Sequence, residues 1–452
     1  MAGVTKLYSV HAIDGGTVIR GVARIGSDDG ISEIISAAAS EVDGTLSAIV
    51  RQVPRLTVTS LDFKTVMDLV WANTIPHHPF TTDFDVYLQE MSDAGTRTGN
   101  GIKLKFSQGI LVPVSIGEDS GRTTITFEIL PTWDGTKAPV VKTTGVALAV
   151  AAPGTTVLYK NAALKNNTTV LSQISDFSYT FGVTAEPLVP ANSVWPTGYA
   201  TTNFAPRLSF GCSDLASILA LSNISGASAG AAGLIAFFTK YDTAAIGAVA
   251  AQALTLTLPT TSCFYLTDLP YGEGINVARY EAIGVGTDAA APCTYATGVA
   301  NPAETADPAI FTGGPVKHNT TVVYVASGSF SPGLDVRVNK DPAVKWPTQW
   351  NIMSRQVRFT GQAFSGDFWQ ALGGYGTAID TGFHIYWRKH TLNSAPKADG
   401  TAEHIKITIN AGFIRPGAAD AAHAAQGSFG FDVVSVKGAG ATATVSTASA
   451  IT

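Results

Sequence analysis

The chain is written in triplicate. Pro54-Arg55-Leu56 is followed six residues after its leucine by Asp62-Phe63, and Pro206-Arg207-Leu208 is followed at the same distance by Asp214-Leu215. A third version stands at Arg358-Phe359, with Asp367-Phe368 two residues late. Arg55 and Arg207 are 152 residues apart, and Arg207 and Arg358 are 151 apart. A period this long exceeds the roughly 20–50 residues of solenoid repeats, so each copy should be a full domain and not a single stacked unit.

Other positions keep the same period. Thr17-Val18, Thr169-Val170 and Thr321-Val322 lie 152 apart both times, and the later two extend to Asn-Thr-Thr-Val from Asn167 and Asn319. Trp195-Pro196-Thr197 and Trp346-Pro347-Thr348 each stand twelve residues before their Arg. Alternating apolar runs begin at Ile102, Leu254 and Ile405, and the aromatic–acid pairs Phe127-Glu128, Tyr280-Glu281 and Phe431-Asp432 follow. Chance recurrence in an Ala-, Gly- and Thr-rich chain does not put so many anchors on one period. The 452 residues therefore divide into domains at 1–152, 153–304 and 305–452, each long enough for its own core.

With 45% hydrophobic and 14% charged residues the chain is a folded protein of low surface charge. The first copy carries 12 basic against 16 acidic residues, the second 5 against 9 and the third 12 against 9, which gives balances of −4, −4 and +3. No basic stripe marks a nucleic-acid-binding face. Cys212, Cys263 and Cys293 all fall in the second copy, an odd and unrepeated set that is neither a disulfide framework nor a zinc site. The first residues show no basic start followed by an apolar run, so no signal peptide is expected. The long uncharged stretch 243–267 reads as loop plus strand and not as a membrane span.

Within a copy the pattern predicts mostly strands. In the first, residues 17–25 read as a strand, 31–40 as a short helix or ordered loop, and 45–59 as a long strand bent at Pro54. A helix follows through about Trp71, with Ser60 as its cap, Asp62 at the favourable end of its dipole, and Val66, Leu69 and Val70 as its apolar stripe. Strands are then expected at 84–90, 102–106 and 123–130, with an edge excursion over 109–121. The third copy repeats them at 383–388, 404–410 and 428–436. The fold class is thus mainly β: three tandem homologous β-sandwich or partly closed barrel domains of six or seven strands, each with one central α-helix.

Catalytic patterns are weak. Gly226-Ala227-Ser228-Ala229-Gly230 matches G-x-S-x-G in letters only, because it follows a helix, lies in Ala/Gly sequence, and sits in a copy without His. It reads as a flexible loop. His77-His78-Pro79 could join Asp83 or Asp85 at a metal, yet adjacent side chains on extended backbone point opposite ways and the other copies lack them. No enzyme, cofactor or metal site is expected. Arg55, Arg207 and Arg358, with Asp62, Asp214 and Asp367, are the candidate contacts between domains or subunits. The structural alternatives are a salt bridge to a neighbouring acid for the arginines, and a helix cap or dipole partner for the aspartates.

Tandem copies often imitate a symmetric oligomer, so three copies supply half of a six-membered ring that two chains close, or a pseudo-threefold unit that stands alone. A β domain near 150 residues, with a strand running into Pro-Arg-Leu, one central helix and alternating strands after it, resembles the major tail tube proteins of tailed phages. The resemblance implies a structural virion protein, assembled in the host cytoplasm, whose rings stack into a hollow tail tube. Its partners would be itself, other virion proteins, and double-stranded DNA as non-specific passing cargo, with no membrane. Triplication departs from the single or double form expected of that family. The resemblance further implies a lumen lined by Lys103, Lys105, Thr255, Thr257, Lys406 and Thr408 or their alternate faces, and loops at 26–44, 73–83 and 107–121 that bridge stacked rings. The rival readings are a capsid decoration or receptor-binding, adhesive protein of pseudo-trimeric form, and a hydrolase using Ser228.

Overall fold

The computed structural model describes residues 7–452 except 37–45, 92–96, 148–156, 172, 222–223, 225–227, 230–232, 243–246, 249–250, 304–308, 373–375, 380–381, 392–394, 421–426 and 438–441. The described chain is mainly β, with three short helices: α1 (Phe63–Val70), α2 (Leu215–Leu221) and α3 (Gly366–Ala371). Its sheets are large and antiparallel, and among the described residues none closes on itself, so the partly closed barrel gives way to open layers.

One sheet runs through all three copies. Apart from the short strands His78–Phe80, Ser228–Ala229 and Thr377–Ile379, it takes four strands from the first, in the order Val22–Asp28, Arg55–Ser60, Arg122–Pro131 and Gly109–Asp119. Ile174–Thr180, Arg207–Cys212, Ala278–Ile283 and Cys263–Gly272 continue it, then Val325–Ser331, Arg358–Ala363, Ser428–Ser435 and Gly412–Asp420. The first seam is narrow, with Ser115 opposite Thr180 and Ile116 opposite Tyr179. The second is wider, from Leu269 opposite Phe330 to Gly272 opposite Ser327.

Each copy adds a smaller sheet and a hairpin in the same order. The smaller sheets centre on Leu7–Asp14 with Phe84–Met91, Tyr159–Asn166 with Leu234–Asp242, and Ile310–His318 with Phe383–His390. The hairpins are Ile31–Ser36 with Leu46–Gln52, Val183–Leu188 with Gly198–Phe204, and Leu334–Lys340 with Pro347–Arg355. The large and small sheets bury their facing sides against each other. Along Arg55–Ser60, Leu56, Val58 and Ser60 point inward, while Arg55, Thr57 and Thr59 point away, as a period of two requires. Most buried apolar residues form one contiguous cluster from Ile13 to Ala443, which crosses both copy boundaries, and Cys263, Tyr265 and Ile283 form a smaller one.

Several local expectations are corrected. Residues 31–36 form a hairpin strand, not a helix or loop. Pro54, which has no N–H to donate, separates two strands that belong to different sheets, where one bent strand was expected. The expected excursion and stacking loop over 107–121 is mostly the eleven-residue strand Gly109–Asp119 of the shared sheet. The loop expected at 26–44 is strand on both sides of Gly30 as far as Ser36, with 37–44 outside the described residues. The segment 73–83 contains the short strand His78–Phe80. Expected strands 84–90, 102–106 and 123–130 are present as Phe84–Met91, Arg97–Phe106 and Arg122–Pro131.

Candidate functional site

Two features recur at equivalent positions: a row of ion pairs on the outward face of the shared sheet, and the contacts that join one copy to the next. The row comes from the two recurrent signatures meeting across a strand pair. Arg55 Nη1 donates to Glu128 Oε1 at 3.2 Å, Arg207 Nη1 to Glu281 Oε1 at 2.9 Å, and Arg358 Nη2 to Asp432 Oδ2 at 2.9 Å. Glu128 lies opposite Thr57 in register, two residues from Arg55, so the two side chains share a face. Each arginine is about half exposed. In the third copy Arg415 Nη2 reaches the same Asp432 oxygen at 2.9 Å, and in the second Tyr265 donates to Glu281 Oε2 at 2.8 Å.

The three recurrent aspartates do not meet these arginines. Asp62 immediately precedes α1 and makes no side-chain cap; its Oδ2 accepts from Arg20 N at 3.1 Å. Ser60, expected to cap, instead accepts from Asp62 N and donates to Arg20 O, which ties the helix start to the neighbouring strands. Asp214 is buried and accepts from Ser217 N at 3.3 Å, in the manner of a cap. Asp367 lies inside the first turn of α3, where Ser365 is the cap and accepts from Phe368 N. One recurrent residue type thus does three different local jobs.

The residues expected to line a lumen lie on the smaller sheets. Lys103 pairs with Asp85 at 3.2 Å, and Lys105 pairs with Asp83, whose hydrogen bond raises the Lys105 pKa. Thr255 is buried and Thr257 half-buried. Lys406 lies over the Tyr386 ring, and Thr408 is hydrogen-bonded to His384 Nδ1 at 3.0 Å.

The junctions between copies are built twice in the same way. Gln52 N donates to Val194 O at 2.7 Å and Phe204 N to Lys345 O at 2.7 Å. Trp133 N donates to Pro196 O and Gly286 N to Pro347 O. The recurrent Trp-Pro-Thr is therefore a clasp that each copy closes on the one before it. Trp195 Nε1 donates to Gln52 Oε1 and Trp346 Nε1 to Thr287 O. The hairpin follows the clasp: Leu334, Val336, Val338 and Trp350 of the third copy pack on Cys263, Tyr265 and Ile283 of the second. In the other direction, α1 leans onto the second copy. Phe63 meets Phe238 at 4.8 Å and Tyr159 at 5.9 Å, and Trp71 meets Phe181, Phe204 and Tyr295 at 5.6–6.4 Å. Likewise α2 packs against Ala443–Ser449 of the third copy.

A glycine at the base of each copy's hairpin was not singled out in the sequence. Gly30, Gly182 and Gly333 have φ of +55°, +59° and +58° and receive a bond from the residue just before the Pro-Arg-Leu region: Val53, Ala205 and Gln356. A Cβ there would lie 2.0–2.2 Å from that residue's carbonyl oxygen, so only glycine fits. Their spacing of 152 and 151 was the available signal.

Among the described residues no group of three His, Cys, Asp or Glu could hold a metal, and His77 Nδ1 is engaged with Ile75 O. Burial and His77 lower the His78 pKa. Ser228 lies in a two-residue strand opposite Phe264, while Gly226, Ala227 and Gly230 fall outside the described residues. Cys212, Cys263 and Cys293 are free and buried, and burial pushes each thiol up to about 12. Among the described residues no helix is long and apolar enough to cross a membrane. No protein-family model and no curated protein sequence matches the chain.

Proposed function

We propose that this chain is a self-assembling structural virion protein whose rings stack into a hollow tail tube through which double-stranded DNA passes. The observation that carries the reading is the uninterrupted sheet made from the same four-strand unit three times, with pairing capacity left at both ends. Val22–Asp28 is paired on one side only, and the second half of Gly412–Asp420 is paired only with Ser428–Ser435 among the described residues. Open edges of a large sheet are a liability in a monomer and an asset in an assembly that closes. Two chains would bring six four-strand units to one ring.

On this reading the lumen assignment moves. The shared sheet is the element that continues from copy to copy, so the part of its outward face that the hairpins leave open becomes the channel wall in place of the strands carrying Lys103, Thr255 and Lys406. That face carries each arginine beside a carboxylate. An unpaired arginine row would hold DNA phosphates by counterion release, whereas paired arginines leave a hydrated wall with little net attraction. The protein as expressed alone tests the proposal by negative-stain electron microscopy. Hollow six-lobed rings or stacked tubes support it; isolated three-lobed particles at high concentration, with or without added virion partners, reject it for a decoration or adhesive role.

A further inference from the structure

The two internal junctions leave one half-junction unused at each end of the chain. We infer that α3 of one chain docks into a socket on the first copy of a second chain, extending the contact that α1 makes within the chain. The inference rests on the self-assembly part of the proposed function and is independent of the tube and its cargo.

The socket is already shaped. Where α1 sits on the second copy, Trp71 and Phe63 are received by Phe181, Phe204, Tyr295 and Phe238. The strand registers place Lys142 and Leu88, and the bonds at Gly30 and Gly182 place Asp29 and Gln52, at the matching positions of the first copy. These four residues line one cavity of about 520 Å³, floored by Ile102 and Leu104. It is the empty form of the site that α1 fills one copy further on.

The ligand for it is at the other end of the chain. α1 buries Phe63, Val66, Met67 and Val70, and α2 buries Leu215, Ile218 and Leu219, but α3 buries none of its residues. The aromatic contacts of α3 stay within its own copy, Phe368 on Phe431 and Trp369 on Phe429. Beside it Phe364 is 41% exposed, Val322 41% and Tyr324 70%. Val322 recurs as Val18 and Val170, but the equivalents of Phe364 and Tyr324 by their shared backbone bond are Leu61 with Gly21 and Ser213 with Gln173, so the two aromatic rings of this strip belong to the third copy alone. The reciprocal arm is open on its first-copy side: Ile31, in the place of Leu334 on the third copy's hairpin, is 50% exposed, and the half-buried Phe413 and buried Val434 of the third copy stand where the second has Cys263 and Ile283. The copies that would meet carry charge balances of −4 and +3. Helix, hairpin, sheet edge and charge therefore all call for one partner, a second copy of this chain joined head to tail.

The test uses full chains with Phe368→Asp on α3 or Leu88→Asp in the socket, read by sedimentation velocity. Each variant alone should lose self-association by about tenfold or more in concentration, as expected for an anchor side chain at an interface. Mixed together they should form pairs that do not extend, because one α3 and one socket remain intact. A second pair, Phe368→Cys in one chain and Leu88→Cys in another, guards against misfolding. It should give a cross-linked dimer on oxidation only when the two are mixed, since the native thiols are buried. Wild-type assembly with undiminished variants, or no cross-link in the mixture, overturns the docking assignment alone. A wild-type chain that stays monomeric at all concentrations overturns the self-assembly reading with it.

Discussion

Trp71 and Tyr295 lie with ring centroids 5.6 Å apart, one at the end of α1 in the first copy and the other on the last strand of the second. The same tyrosine donates its hydroxyl to Asp68 at 2.9 Å. A helix that belongs to one copy by sequence is thus part of the next copy's packing. This is why the core is contiguous across the boundaries that the repeat period draws.

Removing that contact should weaken the whole chain. Trp71→Ala is expected to destabilise by about 3 kcal/mol, the low end for a large aromatic since Trp71 is only partly buried. Denaturant unfolding followed by tryptophan fluorescence would show the midpoint fall. An unchanged midpoint would mean that the copies do not lend each other stability through α1.

The ion-pair row should contribute little to stability and much to what the face binds. A double-mutant cycle on Arg207 and Glu281 should give a coupling below about 1 kcal/mol that shrinks with salt, because the pair is solvent-screened. Neutralising the carboxylates together, with Glu128→Gln, Glu281→Gln and Asp432→Asn, should instead raise affinity for short duplex DNA and steepen its salt dependence. Fluorescence anisotropy reads both, and a triple variant with wild-type affinity would remove the channel-wall role from this face.

The hairpin-base glycines give a backbone prediction. Gly182→Ala forces a Cβ against Ala205 O at a φ of +59° and should cost more than about 1 kcal/mol in thermal or chemical unfolding. Gly272→Ala meets nothing within 4 Å and should stay within about 0.5 kcal/mol of wild type. Equal effects at the two sites would show that the turn at Gly182 is not the constraint.

The three cysteines should be silent in the native protein. With each thiol pushed up to about 12 by burial, the thiolate is scarce at pH 8 and a thiol reagent should label none until the chain unfolds. Rapid labelling of the native protein would contradict their burial.

Much of this was legible in the sequence because the copies restate it. The mainly β class and the strands at 84–90 and 123–130 follow from patterns that occur three times. Even the ion pairs were visible as two separate signatures, Pro-Arg-Leu and aromatic–acid, although their meeting needed the strand order. The strand Gly109–Asp119 was hidden because its glycines and Pro113 read as loop, and because it is inserted beside a later strand. The junctions were harder still. Phe181 and Asp29 occupy equivalent places with opposite chemistry, since one is covered by α1 and the other faces an empty socket, so repetition argues against seeing them as one site.

The most direct measurement is the number of chains per assembled particle, read by native mass spectrometry on the purified protein. Closure of an open three-unit sheet by a second copy predicts particles of two chains, and multiples of two where rings stack. Monomers at every concentration, or a predominant three-chain particle, would contradict it.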